Sequence, residues 1–249
     1  MKLGIEGRVA IVTGASRGLG WAAAEALVAE GVSVLAAARS EADLKALRES
    51  APDSIETAVV DMTRADDVAA LADRAVDTFG RLDIVVNNAG IAPAGAFADQ
   101  PQEVWDEVFA INVKAPAVLT RAAGRHLLAQ GSGKVVNIAS TSGINGKPSL
   151  VAYSASKGAV LQFTKALAAE WGRFGVQVNA IAPGAFETRA QRAVMEDPEI
   201  LRRRIRKIPA GRMGQPHEFG SLVTYLASPL ADFITGSVLV TDGGEVSKL

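Results

Sequence analysis

The chain contains no cysteine and only two histidines, His126 and His217. Disulfides, thiolate metal sites and cysteine nucleophiles are excluded, and too few nitrogen ligands remain for a zinc site, so no metal is expected. Long apolar runs are also missing: none reaches the roughly 18 residues that a membrane helix requires. Charge of one sign is not in excess either. With 26 basic and 27 acidic side chains the formal net charge is -1, which gives no global field for holding nucleic acid. The opening MKLGIEGRVA passes almost directly into a strand without a signal-type apolar stretch. These absences lead us to expect a cytoplasmic protein that acts on a small molecule, with neither nucleic acid nor membrane as partner.

What remains is the composition of an ordinary packed globule, 49% hydrophobic and 21% charged over 249 residues. That length fits one α/β domain spanning 1–249. Short β-type runs recur at residues 9–13, 33–38, 57–60, 84–87, 134–138, 176–181 and 237–240, separated by Ala- and Leu-rich segments with helical spacing. Runs such as VAIVT and DIVVN are apolar almost throughout, as in strands covered on both faces, which means parallel strands with helical crossovers. The expected fold is a doubly wound, Rossmann-type α/β domain with a parallel sheet of about seven strands. One stretch, 183–216, is markedly irregular and follows a strand, where open α/β sheets bind ligands.

The first strand ends at Thr13 and enters GASRGLG, with Gly14, Gly18 and Gly20 ahead of a helical segment at 21–30. Glycines there let the backbone turn tightly and approach a phosphate, while the new helix offers free N–H groups and its positive end. A plain strand-to-helix turn would also use glycines, and only the place of this loop at the first strand-helix junction favours phosphate binding. Tyr153 and Lys157 lie four apart in AYSASKGAVLQFTKALAAEWG, which reads as helix, so both side chains would leave one face. A nearby ammonium favours a phenolate, and a tyrosine so tuned can act as acid and base; an exposed helix pair is the plainer alternative. Ser140 follows the apolar strand KVVNIAS, where its hydroxyl could meet a carbonyl or merely serve a turn. Asn112 sits within the helical run EVWDEVFAINVKAPAVL, an unfavourable place for asparagine unless its amide or a disturbed backbone is used.

The spacing TGxxxGxG, followed in order by Asp61, NNAG at 87–90, Asn112, Ser140, YSASK at 153–157 and Pro183-Gly184 with Thr188, resembles the short-chain dehydrogenase/reductase family over nearly the whole chain. The resemblance implies a nicotinamide dinucleotide bound along these positions. Ser16, Arg17 and Leu19 would complete the phosphate loop with its three glycines. Asp61 and Met62 would lie beside the adenine, and Asn88, Ala89 and Gly90 would support the centre of the cofactor. Residues 183–188, including Gly184 and Phe186, would meet the nicotinamide, although Phe186 departs from the branched aliphatic frequent there. It also implies roles: Ser140 polarises a carbonyl, Tyr153 passes the proton, Lys157 holds the ribose and tunes the tyrosine, and Asn112 continues the proton path through a water.

The second strand, VSVLAAARS, bears on cofactor choice. NAD-specific folds usually place a carboxylate at its end. Here Ala38 occupies that place, followed by Arg39 and Ser40, so that Arg17 and Arg39 could surround a 2′-phosphate and NADP(H) is expected over NAD(H). The expected activity is reduction of a ketone to a secondary alcohol. An NAD-dependent alcohol or sugar dehydrogenase and a catalytically silent dinucleotide sensor are the alternatives. The resemblance further implies a homo-oligomer, a tetramer pairing helices near 105–129 and 152–171, and a substrate loop at 184–212. Within that loop, Arg202, Arg203 and Arg204 could attract an anionic thioester. Gly131 and Phe174 stand where carrier-protein reductases commonly have basic residues.

Overall fold

The computed structural model describes residues 2–248 and holds seven parallel strands in one sheet. Along the chain, β1 (Val9–Thr13), α1 (Gly18–Ala29), β2 (Ser33–Ala38), α2 (Glu41–Ser50), β3 (Ile55–Val59), α3 (Ala65–Phe79) and β4 (Ile84–Asn87) form the first half. The second half comprises α4 (Gln102–Phe109), α5 (Ala115–Ala129), β5 (Gly133–Ile138), α6 (Ser142–Asn145), α7 (Val151–Trp171) and β6 (Val176–Pro183). It closes with α8 (Arg192–Glu196), α9 (Pro198–Ile205), α10 (Pro216–Leu226) and β7 (Val238–Thr241). The sheet order β3-β2-β1-β4-β5-β6-β7 makes the chain double back between β1 and β4. A crevice opens at that switch point, at the carboxyl ends of the strands.

Two apolar layers sandwich the sheet, and the two-residue period of the strands divides side chains between them. Ala10, Val12, Val34 and Ala36 pack with Leu27, Phe219 and Val223 on one face. Val9, Ile11, Leu35 and Ala37 pack with Leu71, Leu119 and Trp171 on the other. Both faces being covered is why these strands are apolar throughout. No helix among the described residues is long and apolar enough to cross a membrane.

Beyond shifts of one or two residues at strand ends, such as β3 at Ile55–Val59 instead of 57–60, three segments differ from expectation. Helix α1 starts at Gly18 instead of residue 21, because the glycine loop already contributes its first turn. The segment 183–216 is less irregular than its composition indicates: Asp197 caps α9 by accepting from the N–H groups of Glu199 (2.9 Å) and Ile200 (3.0 Å), and Pro198 occupies the first turn. Between α4 and α5 the helix widens into a π-turn at Ala110–Lys114, with Asn112 inside it.

Candidate active site

The crevice is a groove of about 790 Å³ running from the end of β2, across the glycine loop, to the start of α7. Its floor is built for close approach of a ligand. Gly14 adopts φ +66°, and a Cβ at Gly20 would stand 2.2 Å from the Gly14 carbonyl oxygen and 2.4 Å from Asn88 Nδ2, so neither position accepts a side chain. Arg17, at the N-cap of α1, makes no side-chain capping bond, and Ser16, Gly18, Leu19 and Gly20 line the groove, so the first turn of the helix offers its unpaired N–H groups there. This cradle fits the phosphates of a dinucleotide.

The adjoining walls are fixed by hydrogen bonds that the sequence did not disclose. Thr13 Oγ1 accepts from the N–H groups of Asn88 (3.0 Å) and Ala89 (3.1 Å), and Asn88 Nδ2 donates to the carbonyls of Thr13 (2.9 Å) and Gly14 (3.2 Å). The turn of Asn88, Ala89 and Gly90 is thereby clamped to the glycine loop. Asp61 accepts from both the N–H and the hydroxyl of Thr63, at 2.9 Å each. Those bonds, and more weakly the charge of Arg39, hold its carboxyl below the usual range. Asp61 and Met62 line the groove beside Val60, and Arg39 and Ser40 lie at the same end. Ser40 Oγ also caps α2, accepting from Asp43 N–H at 3.3 Å. Asp43 itself faces the groove and pairs at 3.5 Å with Arg189, which reaches across from the loop after β6.

At the other end the groove meets Ser140, Tyr153 and Lys157. Lys157 Nζ stands 5.8 Å from the centre of the Tyr153 ring and donates to the Ile138 carbonyl at 2.6 Å. Burial, with no carboxylate beside it, lowers the lysine's pKa to about 8. Burial also pushes the Tyr153 hydroxyl up, against the opposing effect of its hydrogen bond with Ser140. Ser140 Oγ accepts from Ser142 N–H at 3.1 Å, which orients the hydroxyl at the head of α6.

Of the expected site residues, only Asn112 lies outside the groove. Its Oδ1 accepts from Ile91 N–H (2.9 Å), and its Nδ2 donates to the Ile91 carbonyl (2.9 Å) and to Ser156 Oγ (3.0 Å). Both amide hydrogens and one lone pair of the amide oxygen are thus engaged with protein groups. Pro183, Gly184, Phe186 and Thr188 do line the groove. Phe186 is only 4% exposed, however, and packs edge-on against Phe219 at 6.1 Å, so most of its ring is committed to the core. Arg204 is also not free, since Glu245 binds it bidentately at 2.5 and 2.6 Å.

Ile91, Ala92, Ile111, Ala139 and Gln191 line the groove as well, and their apolar or unremarkable types gave no signal in the sequence.

A phosphate cradle at the switch point of a parallel sheet, ending beside a Ser-Tyr-Lys cluster, defines a dinucleotide-dependent oxidoreductase. The family model described as Enoyl-(Acyl carrier protein) reductase matches residues 14–245. The 2-dehydro-3-deoxy-D-gluconate 5-dehydrogenase of Bacillus subtilis is 36% identical over 98% of this chain and 96% of that protein. The 3-oxoacyl-(acyl-carrier-protein) reductase FabG of Vibrio cholerae is 36% identical over 97% of this chain and 98% of its own. A solved gluconate 5-dehydrogenase from Burkholderia cenocepacia, in complex with NADP and tartrate, superposes with a TM-score of 0.94 at 33% identity, covering 100% of this chain and 98% of that one. The chain belongs to the short-chain dehydrogenase/reductase family, and it is an enzyme of the ketoreductase type within it.

Proposed function

We propose that the chain reduces a ketone to a secondary alcohol with NADPH in preference to NADH, and that Tyr153 supplies the proton. The observation that carries this reading is the convergence of Ser140, Tyr153 and Lys157 at one end of a groove whose other end holds Arg39 and Ser40. A phenol kept protonated by burial is the state a proton donor needs at neutral pH. The Ser140 hydroxyl, oriented by Ser142 N–H, donates to the carbonyl oxygen on which negative charge develops. Lys157 presents its ammonium beneath the tyrosine and holds the ribose. When bound, the nicotinamide supplies the hydride. Asn112 is a positioning residue in this scheme, tying the loop at Ile91 to Ser156 on α7.

The relatives are named for sugar acids and for acyl thioesters, and both classes contain a reducible ketone. We assign substrate selection to the loop at 184–212. The whole of 1–249 acts as one domain in this reading, in the cytoplasm, as a homotetramer. The outward face of α7 supports assembly, because Ala155, Gln162 and Ala166 are exposed while Val160, Thr164 and Ala168 face the sheet. One observation favours the NAD-dependent alternative: Asp43 places a carboxylate in the groove near Arg39. Its pairing with Arg189 offsets that charge.

The test is turnover of NADPH and NADH with a panel of ketones by wild type and Tyr153→Phe. The substitution keeps the ring and removes the transferable proton, so the rate should drop about a hundredfold or more while NADPH still binds. A variant retaining more than a few per cent of the rate would refute the role of Tyr153, and a higher kcat/KM with NADH would refute the cofactor assignment.

A further inference from the structure

Beyond the Ser-Tyr-Lys cluster, the same end of the molecule carries a second group of charges that the reaction does not use. Lys147 follows α6, and its N–H donates to Ser154 Oγ at 3.1 Å, which pins it beside Tyr153. The next turn is strained. Ser149 holds φ +62°, the one non-glycine residue with positive φ among those described, and its carbonyl accepts from Gly95 N–H at 2.9 Å. Such strain persists only where the surroundings impose it, and it gathers at ligand sites.

The Lys147 ammonium is half-buried and has no hydrogen-bond or ion-pair partner among the described residues. Its charged neighbours are Glu245, Arg204, Lys207 and Asp242. Both acids are already engaged. Glu245 gives its two oxygens to Arg204, and Asp242 accepts from the N–H groups of Gly244 (2.8 Å) and Val246 (2.7 Å). Asp242 also packs on Gly184, where a Cβ would meet its own at 2.6 Å, and Gly184 lines the nicotinamide end of the groove, so this acid joins the charged group to the back of the groove wall. Three cations against two carboxylates leave one positive charge unmatched; of the two lysines without a partner among the described residues, Lys207 is exposed and Lys147 is the half-buried one.

We propose that Lys147, backed by Arg204, binds the carboxylate of the substrate, so that the preferred ketone is a small keto acid with one negative charge. The inference rests on the ketoreductase reading and names its substrate class. A single negative charge matches the surplus, whereas a dianionic phosphate would replace it with an uncompensated charge of opposite sign. Burial now lowers the lysine's pKa, and an arriving carboxylate would favour its charged form. Arg204, already held by Glu245, keeps Lys147 from relaxing toward that acid instead.

The experiment compares 4-oxopentanoate with its methyl ester, using NADPH and wild type, Lys147→Met and Lys147→Arg. Wild type should favour the acid at least tenfold in kcat/KM. Lys147→Met should lower that ratio tenfold or more through KM for the acid, and Lys147→Arg should restore most of it. The unfolding midpoint of Lys147→Met should not fall, since an unpartnered, desolvated ammonium adds nothing to stability. A ratio unmoved by Lys147→Met, or acid and ester losing equally, would overturn the proposal. If wild type turns over neither compound, calorimetry of D-gluconate on the NADPH-loaded protein decides: binding abolished by Lys147→Met supports the subsite, and no binding to wild type overturns it. Inorganic phosphate binding as tightly as gluconate would overturn the commitment to a carboxylate. Failure of the ketoreductase reading has a different signature, namely no Tyr153-dependent turnover of any neutral ketone.

Discussion

Thr13→Val isolates the clamp between the glycine loop and the turn that follows β4. Valine matches threonine in shape, and Thr13 is 3% exposed at the end of β1, so the substitution exchanges a hydroxyl for a methyl with little repacking. The hydroxyl oxygen accepts from Asn88 N–H and Ala89 N–H. Asn88 N–H keeps a second acceptor, the Val86 carbonyl at 3.1 Å, whereas Ala89 N–H, partly buried in the groove wall, loses its partner. One orphaned donor costs about 1 to 3 kcal/mol. Burying one extra methyl offsets at most about 0.8 kcal/mol of that. Asn88 Nδ2 still ties the turn to Thr13 and Gly14, so the chain should fold, with a loss of about 1 to 2 kcal/mol and weaker NADPH binding. Urea unfolding gives the first quantity and quenching of NADPH fluorescence the second. Thr13→Ser keeps the acceptor and should bind NADPH like wild type. A valine variant as stable and as tight-binding as wild type, or a serine variant that binds worse than valine, would refute the assigned role of the hydroxyl.

Two further outcomes follow from the groove. Ala38→Asp combined with Arg39→Leu places a carboxylate at the end of β2 and removes a cation, so the NADPH to NADH ratio of kcat/KM should fall at least tenfold, consistent with about 1.5 to 3 kcal/mol for each charge-assisted hydrogen bond lost. An unchanged ratio would show that the 2′-phosphate is read elsewhere. Because burial lowers Lys157 to about 8, its ammonium is present below that pH and is lost as pH rises through it. The reductive kcat/KM for NADPH should therefore be level in neutral solution and decline above about pH 8. Lys157→Arg, which cannot deprotonate there, should remove the decline, and a wild-type profile flat to pH 10 would contradict the assignment.

Legibility in the sequence followed the range of the interactions. The glycine loop and the Tyr153-Lys157 pair were legible because their geometry is set within a few residues, by a turn that admits no side chain at Gly20 and by the helix repeat that carries Lys157 toward Tyr153. The sheet was legible because apolar runs such as Ile84–Asn87 have few places to go except between two layers of helices. The short α9 was missed although its Asp-Pro start is a capping signal, since eight residues with three arginines in the last turn carry little apolar periodicity.

The roles of Thr13 and Asn112 could not be read at all, because their partners lie 75 and 21 residues away or more. Asn112 shows what such distance hides. Its presence in a helix marked it as unusual, and the π-turn confirms a disturbed backbone. Which use the disturbance serves depends on where Ile91 and Ser156 come to rest, a property of three separate elements meeting. Residue type therefore located the position, and only the assembled sheet and α7 show which elements its amide joins. The same logic applies to Lys147, an ordinary lysine in sequence, whose lack of a partner is visible only once Glu245 and Asp242 are seen to be engaged with others.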